Sequence, residues 1–120
     1  MSSPRPRYVL KTDPHSGHSV ILGWLAAGDG RRLLDVGAAE GLLSRQLTER
    51  GWRVTAIEAD PEAARIGAKH CERMMVVDLD RELPLLEGGF DVIVYADVLE
   101  HLVDPSTVLA GLNRLLAPGG

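Results

Sequence analysis

Short apolar blocks alternate with amphipathic blocks along most of the 120-residue chain, and this alternation predicts strands that alternate with helices. The compact blocks, rich in valine, leucine and isoleucine, predict four strands at residues 32–36, 53–57, 74–77 and 90–95. Apolar residues that recur every three or four positions predict helices at residues 16–27 and 42–50, and further helices that begin at Asp60 and Asp104. Each of these aspartates precedes a proline, which is typical of a helix N-cap followed by the first helical turn.

The last helix and the fourth strand carry the clearest patterns. Five apolar residues at helical spacing follow Asp104 and predict one buried face that continues up to Pro118: Val108, Leu109, Leu112, Leu115 and Leu116. The fourth strand, FDVIVY, is almost continuously apolar, so we expect burial on both of its faces. Strands that alternate with helices form a parallel sheet covered on both faces, and such sheets bind ligands beyond the carboxyl ends of their strands. We therefore predict an α/β domain over residues 14–120, preceded by an irregular lead-in at residues 1–13.

Composition narrows the function classes. The formal net charge is −4, so the chain offers no basic surface of the kind that binds nucleic acid or an anionic membrane. No apolar run approaches the roughly 18 residues that a membrane-spanning helix needs. Cys71 is the one cysteine, which excludes a disulfide framework and favours a reducing cytoplasm. No cluster of histidine and cysteine has metal-ligand spacing, so we predict no metal.

The sequence LLDVGAAEG joins the first predicted strand to the next helix and carries a glycine at each end of its loop. Gly37 allows the backbone to approach a ligand, and Gly41 leads into a helix N-terminus with unpaired N–H groups. A dinucleotide fingerprint would need glycines where Ala39 and Leu42 stand, and Leu42 also breaks the pattern of a phosphate-binding P-loop. Glu40 would repel a phosphate as well, so the loop favours a ligand without a pyrophosphate.

Carboxylates also follow the second and third predicted strands. Glu58 lies about 20 residues after the glycine loop, where a carboxylate can accept hydrogen bonds from both ribose hydroxyls. The alternative is an ordinary charge near a helix N-terminus, a role that suits Asp60 better. Asp78 can accept a hydrogen bond from an exocyclic amine such as adenine N6, or it can cap a turn within its own loop.

The sequence thus places acidic side chains close to one crevice: Asp35, Glu40, Glu58, Asp78 and Asp97. Such a crevice would repel a pyrophosphate and attract a ligand that combines an adenosine with a positive charge, because opposite charges attract strongly at a partly desolvated site. S-adenosylmethionine, an adenosine that carries a sulfonium and an α-ammonium group, has this chemistry. We predict that it is the cofactor.

Four segments, in order and at matching spacing, resemble motifs of the class I S-adenosylmethionine-dependent methyltransferases. LLDVGAAEG is similar to their glycine-rich first motif, and VTAIEAD to their acidic second-strand motif. VVDLD, the following LPL and FDVIVYADVLEHLVDP resemble their third- and fourth-strand segments, and NRLLAPGG resembles the helix and turn before their fifth strand. The form DVLEHL is most similar to the small-molecule branch that includes the MetW-like and the ubiquinone-biosynthesis methyltransferases.

The resemblance implies a cofactor site built from residues at, or just after, the ends of the four strands: Asp35, Gly37, Ala38, Ala39, Gly41, Glu58, Ala59, Asp78, Leu79, Ala96 and Asp97. Those after the first strand would contact the methionine part of the cofactor, with Asp35 orienting the loop and helping to hold the amino-acid end. Those after the second and third strands would hold the ribose and the adenine, and the last two would flank the transferred methyl group.

The resemblance also implies a Rossmann-like three-layer sandwich with a mostly parallel sheet of about four strands in the order 3-2-1-4. The family fold has seven strands, so we expect this chain to be the N-terminal portion of a longer protein. Many relatives carry a cysteine-glycine pair where this chain has Ala38 and Ala39, and Ala39 narrows the loop. With no fifth strand, the fourth strand would be an exposed apolar edge, from which we predict weak self-association.

Methyl transfer requires a positioned acceptor and, where needed, a base that removes its proton. His101 and Glu100 follow the fourth strand and are the candidates for this task, although both side chains can instead bridge loops. The predicted function is methyl transfer to a small-molecule acceptor. The alternatives are a non-catalytic S-adenosylmethionine-binding module of a larger, for example glycosyltransferase-linked, protein, and a dinucleotide-dependent oxidoreductase, which Glu40 and the missing glycines disfavour.

Overall fold

The structure is a computed structural model that describes residues 21–96 and 98–120. The lead-in predicted for residues 1–13, the first part of the predicted helix 16–27, and Asp97 lie outside these residues. Residues 21–24 are helical, but the chain leaves the helix before Gly28, earlier than predicted. Gly28 instead donates its N–H to the carbonyl of Arg50 (2.9 Å) and packs against the backbone of Trp52, where a Cβ would lie 2.5 Å from the nitrogen.

The strands form one four-stranded sheet in the order β3-β2-β1-β4: β1 at Arg32–Val36, β2 at Arg53–Glu58, β3 at Arg73–Val76 and β4 at Val92–Tyr95. All three strand pairs are parallel, which confirms the predicted fold class and strand order. The strand β4 begins two residues later than the predicted 90–95. The reason is that Phe90 pairs with Leu116, and its N–H and carbonyl bond to Leu115 and Ala117 rather than to β1.

The helices after the strands are α1 at Leu42–Glu49, α2 at Pro61–Gly67 and α3 at Pro105–Asn113. Both predicted N-caps are present, because Asp60 accepts from the N–H of Glu62 and Asp104 accepts from the N–H of Thr107. Helix α3 ends at Asn113, so the prediction that it continues to Pro118 was wrong. The residues just after it turn back to pair with Phe90, and this backbone pairing replaces the last helical turn.

An apolar cluster lies on each face of the sheet and packs the sheet against helices, so the fold has three layers. On one face, Leu33 and Val54 pack with Leu43 and Leu47 of α1. On the other face, strand residues including Leu34, Ile57 and Tyr95 pack with Val108 and Leu112 of α3. In the described part of the chain, no helix combines the length and the apolar character needed to cross a bilayer.

Candidate cofactor-binding site

A cavity of about 440 Å³ lies where the carboxyl ends of the four strands meet, and its size is in the range of small-molecule sites. Nine residues of the predicted site line it: Gly37, Ala38, Ala39, Glu58, Ala59, Asp78, Leu79, Ala96 and His101. They come from segments far apart in sequence, and the parallel register of the sheet brings them together.

The cavity has further lining residues outside the predicted cofactor set: Glu40, Leu42, Ile57, Val77, Asp80, Val98 and Leu102. Ile57 and Val77 are buried residues at the ends of apolar runs. Each directly precedes a predicted site residue, Glu58 or Asp78, so the sequence could have indicated that they line the cavity. Asp80 had no such signal, because an acidic residue in a loop is ordinarily a solvated charge.

Asp35, Gly41 and Glu100 were predicted to belong to the site, but they do not line the cavity. Asp35 is buried within β1, Gly41 is buried at the end of the glycine loop, and Glu100 is exposed. Asp97 lies outside the described residues. All four residues expected at the ribose and the adenine line the cavity, namely Glu58, Ala59, Asp78 and Leu79, and so does Ala96, which is expected near the methyl group.

The loop between β1 and α1 has the backbone shape that its glycines allow. Gly37 and Gly41 have φ values of 77° and 88°, in the left-handed region, and the loop is closed by the N–H of Gly41, which donates to the carbonyl of Ala38 (3.0 Å). A Cβ on Gly37 would lie 2.8 Å from the Cβ of Val98. Ala39 has a φ of 52°, which an alanine adopts only with strain.

Glu58, at the end of β2, is hydrogen-bonded by the backbone on both of its oxygens. Its Oε1 accepts from the N–H of Ala39 (2.6 Å) and its Oε2 accepts from the N–H of Asp60 (3.0 Å). Each carboxylate oxygen has a further lone pair, so the group can still accept two hydroxyl groups from a ligand. The two backbone bonds hold the carboxylate at the cavity in advance of binding, and they connect it directly to the glycine loop.

Asp78, after β3, makes the turn-capping contacts that sequence reasoning left as the alternative. Its Oδ1 accepts from the N–H of Asp80 (3.0 Å), and its Oδ2 lies 3.5 Å from the Nε of Arg81. Asp78 also lines the cavity, so capping and ligand binding are compatible at this residue. Leu79 next to it is buried in the sheet's core while it contributes to the cavity wall.

Asp35, next to the carboxyl end of β1, is only 1% exposed. Its Oδ2 accepts from the hydroxyl of Ser44 in α1 (2.7 Å), and its Oδ1 has no hydrogen-bond partner among the described residues. Burial raises the pKa of Asp35 to about 6; the Ser44 hydrogen bond opposes this rise, and the charge of Glu58 adds to it. Asp35 thus ties the first turn of α1 to β1, one layer below the cavity.

The cavity has a negative electrostatic character. Glu40, Glu58, Asp78 and Asp80 all line it, and none of the described lining residues is a lysine or an arginine. Arg81, which is exposed, pairs with Asp78 and is not part of the described wall. Such a site favours a cationic ligand over a pyrophosphate.

His101 ends a short 3₁₀ helix, Leu99–His101, and is the one histidine on the described cavity wall. The N–H of His101 donates to the carbonyl of Val98 (3.1 Å), which fixes the backbone that carries the imidazole. Glu100 precedes it but is not part of the wall, so the two residues do not form a pair at the cavity. Within the described ranges, no group of three or more histidine, cysteine, aspartate or glutamate side chains is arranged to hold a metal ion.

Comparison with known proteins identifies the family of this chain and finds solved structures with the same fold. Residues 34–120 match the methyltransferase domain family. A ubiquinone biosynthesis O-methyltransferase of Xanthomonas oryzae pv. oryzae (strain PXO99A) is 36% identical over 98 residues, which cover 76% of this chain and 41% of that protein. The chain therefore spans less than half of the length of this relative.

Two solved structures show the same fold at low sequence identity. An S-adenosylmethionine-dependent methyltransferase from Mesorhizobium loti superposes with a TM-score of 0.75 at 21% identity, over 85% of this chain and 49% of that one. A TehB-like SAM-dependent methyltransferase from Corynebacterium glutamicum ATCC 13032 superposes with a TM-score of 0.70 at 24% identity, over 87% of this chain and 58% of that one. With the parallel sheet, the glycine loop and the family match over residues 34–120, the chain belongs to the class I S-adenosylmethionine-dependent methyltransferases.

Proposed function

We propose that the protein binds S-adenosylmethionine in this cavity and transfers the methyl group to an oxygen atom of a small-molecule acceptor. The observation that carries the proposal is one cavity that combines a glycine loop with several carboxylates and no lysine or arginine on its described wall. A sulfonium cofactor suits that charge, whereas a dinucleotide does not. Oxygen as the acceptor atom is supported by the similarity to a ubiquinone biosynthesis O-methyltransferase.

The proposed contacts follow the strands across the cavity. The backbone of Gly37 to Ala39 contacts the methionine part, and Glu58 accepts the two ribose hydroxyls with its remaining lone pairs. Ala59 and Leu79 line the adenine, and Asp78 accepts a hydrogen bond from its amine. Ala96 and Asp97 flank the methyl group. Asp35 acts from within β1 and Gly41 from the end of the glycine loop, and both shape the loop that the cofactor contacts.

Bound S-adenosylmethionine would supply its methyl group for an in-line displacement, in which a carbon–oxygen bond forms as the carbon–sulfur bond of the sulfonium breaks and S-adenosylhomocysteine is released as a thioether. The acceptor hydroxyl would pass its proton to a base at the cavity or to water. His101 is the proposed base or acceptor contact, because it is the one histidine on the described wall. Glu100, outside the wall, would contact the acceptor only from the rim. The acidic cavity attracts the sulfonium more strongly than the thioether, which favours product release.

Titration with S-adenosylhomocysteine tests the cofactor assignment. Isothermal calorimetry on the protein is expected to show one site for S-adenosylhomocysteine and no binding of NAD. Glu58→Ala should weaken binding about tenfold or more, because charge-assisted hydrogen bonds to the ribose are lost and the Ala39 N–H loses its acceptor. Glu87→Ala removes an exposed carboxylate of equal charge and serves as the matched control.

Binding of NAD without binding of S-adenosylhomocysteine would reverse the ranking of the two cofactors.

The alternative of a non-catalytic binding module is tested separately. The full protein is incubated with S-adenosylmethionine and a panel of phenols and alcohols, and S-adenosylhomocysteine is measured. Cofactor binding without turnover of any acceptor would favour the binding module.

We also propose that the protein self-associates weakly through the outer edge of β4 and works in the cytoplasm. Support for the first is that β4 is one of the two outer strands of the sheet, and the backbone groups of an outer strand can pair with another chain. Support for the second is that Cys71 is the chain's one cysteine, which suits a reducing compartment.

A further inference from the structure

Two loops from different strands form part of the cavity wall. Residues 78–82 follow β3 and carry Asp78 and Leu79, which the proposed function assigns to the adenine. Residues 98–104 follow β4 and carry His101 and Leu102, which lie at the side assigned to methyl transfer. The adenine end and the methyl end of the cofactor would therefore contact different loops. Contacts between the two loops help to set their relative position.

Asp80 connects these two loops. Its Oδ1 accepts a hydrogen bond from the backbone N–H of Val103 at 2.9 Å, across 23 residues of sequence. Its own N–H donates to Asp78 Oδ1 (3.0 Å), so the side chain that reaches the second loop stands on a capped turn of the first. Within residues 21–96 and 98–120, the Asp80–Val103 bond is the one hydrogen bond that joins the two loops.

Below this bond the loops share an apolar base. Leu79 of the first loop and Leu99 of the second are buried in the same core cluster, at 8% and 5% exposure. Above this base the chain is exposed: Asp80 is on the surface and the side chain of Val103 is 87% exposed. Loss of the bond should therefore leave the core intact and free the upper parts of the two loops.

We propose that Asp80 is a positioning residue that couples the adenine side of the cavity to the loop carrying His101. This inference rests on the proposed function. The physical reason is preorganisation: a loop that is already held in its bound position loses less conformational entropy when the ligand binds. The Asp80–Val103 bond holds both loops before the cofactor arrives, and ordering of one loop by the adenine orders the other.

The test compares Asp80→Ala with Asp80→Asn in the full protein. Asparagine keeps an Oδ1 that can accept from the Val103 N–H, whereas alanine removes it. S-adenosylhomocysteine, with no net charge, is the probe, so that loss of a negative charge affects binding little. The matched control is Glu82→Ala, which removes a carboxylate from the same loop at a position outside the cavity wall. Calorimetry gives the affinity, and hydrogen exchange of the Val103 amide without ligand reports the bond itself.

Asp80→Ala is expected to weaken S-adenosylhomocysteine binding about three- to tenfold and to speed exchange of the Val103 amide. Asp80→Asn should restore both to within about twofold of the parent, and Glu82→Ala should change neither. Unchanged Val103 exchange or unchanged affinity in Asp80→Ala, with the parent binding normally, overturns this inference and leaves the proposed function standing. Absence of binding by the parent overturns the proposed function, and the inference with it.

Discussion

At the scale of single residues, Asp35 is the clearest case of a side chain whose chemistry depends on its surroundings. A carboxyl that is 1% exposed, with one oxygen bonded to Ser44 and the other without a partner in the described chain, is costly to ionise. The charge of Glu58 adds to the rise that burial causes in the pKa of Asp35, and burial together with Asp35 raises the pKa of the Cys71 thiol.

The raised pKa predicts a pH-dependent loss of stability. The pKa of Asp35 is 3.8 for the free group and about 6 in the folded protein, so between these values the folded state holds a proton that the unfolded state has released. The contribution of Asp35 to the free energy of unfolding therefore falls as pH rises from about 4 to about 6. Asp35→Asn removes this ionisation. Relative to the parent, the variant should gain about 2 to 3 kcal/mol between pH 4 and pH 7.

Urea unfolding of both proteins at several pH values measures that difference. Glu87→Gln, which neutralises an exposed carboxyl, is the control and should give a curve parallel to the parent. If Asp35→Asn also ran parallel to the parent from pH 4 to 7, the folded-state pKa of Asp35 would be close to its free value.

Several residues of the site could be identified from the chain itself. Glu58 and Asp78 stand directly after apolar runs, and that position alone predicts that they reach the edge of a parallel sheet. What the sequence did not contain was the direction of each side chain. The side chain of Asp35 points toward α1, where it accepts a hydrogen bond from Ser44. Asp80 contacts Val103 only because the fold brings two distant loops together. Their roles depend on tertiary placement.

At the scale of elements, the glycine loop is supported from the side by α2. Gly67, at the end of α2, packs so closely that a Cβ there would lie 3.1 Å from the carbonyl oxygen of Ala39 and 3.0 Å from the Cε of Met74. A Cβ on Gly41 would lie 2.9 Å from the Cα of Gly67. Two glycines facing each other thus let a helix approach the loop that the cofactor is proposed to contact. The flexible methionine can move, but the loop backbone cannot move without changing the cavity.

Gly67→Ala is therefore expected to weaken S-adenosylhomocysteine binding several-fold while the protein stays folded. The added methyl group pushes on the carbonyl of Ala39, whose N–H is bonded to Glu58, so the displacement reaches the cavity. Calorimetry gives the affinity, and circular dichroism checks the fold. The control is Gly23→Ala, also in a helix, where the new methyl group would have no atom of residues 21–96 and 98–120 within 4 Å. Equal affinities for Gly67→Ala and the parent would show that the loop has room for the methyl group.

Element boundaries show where local pattern and tertiary contact compete. The strand β1 and the N-caps of α2 and α3 agree with the pattern, because apolar runs and Asp-Pro pairs act through neighbouring residues. The end of α3 does not, because Leu116 pairs with Phe90, a residue 26 positions earlier in the sequence. Apolar spacing alone cannot distinguish a residue that continues a helix from one that leaves it to pair with a strand.

At the scale of the whole molecule, the two outer strands of the sheet are candidates for contact between copies. The strand β3 presents Val76, which is 55% exposed, while Ile93 and Val94 of β4 are buried in the two cores. Backbone pairing along β4 would use main-chain groups and no exposed apolar side chain, so it would be weak. The proposed association runs through β4 and not through β3.

Sedimentation velocity over a wide concentration range should show a monomer that converts partly to a dimer as concentration rises. Val76→Lys places a charge on the edge formed by β3 and should leave that conversion unchanged. Conversion that disappears in Val76→Lys would assign the contact to β3. A single monomeric species at every concentration would contradict self-association altogether.

The sequence by itself determined the alternation of strands and helices, the parallel sheet, the glycine loop and the carboxylates at the strand ends, because each of these follows from local spacing and from the chemistry of neighbouring residues. Only the tertiary structure decided which carboxylates reach the cavity. Glu58 and Asp78 face it, Asp35 is buried below it, and Asp80 joins two of its loops. The reason is that side-chain direction and contacts between loops arise from the packing of distant segments, which no local pattern encodes.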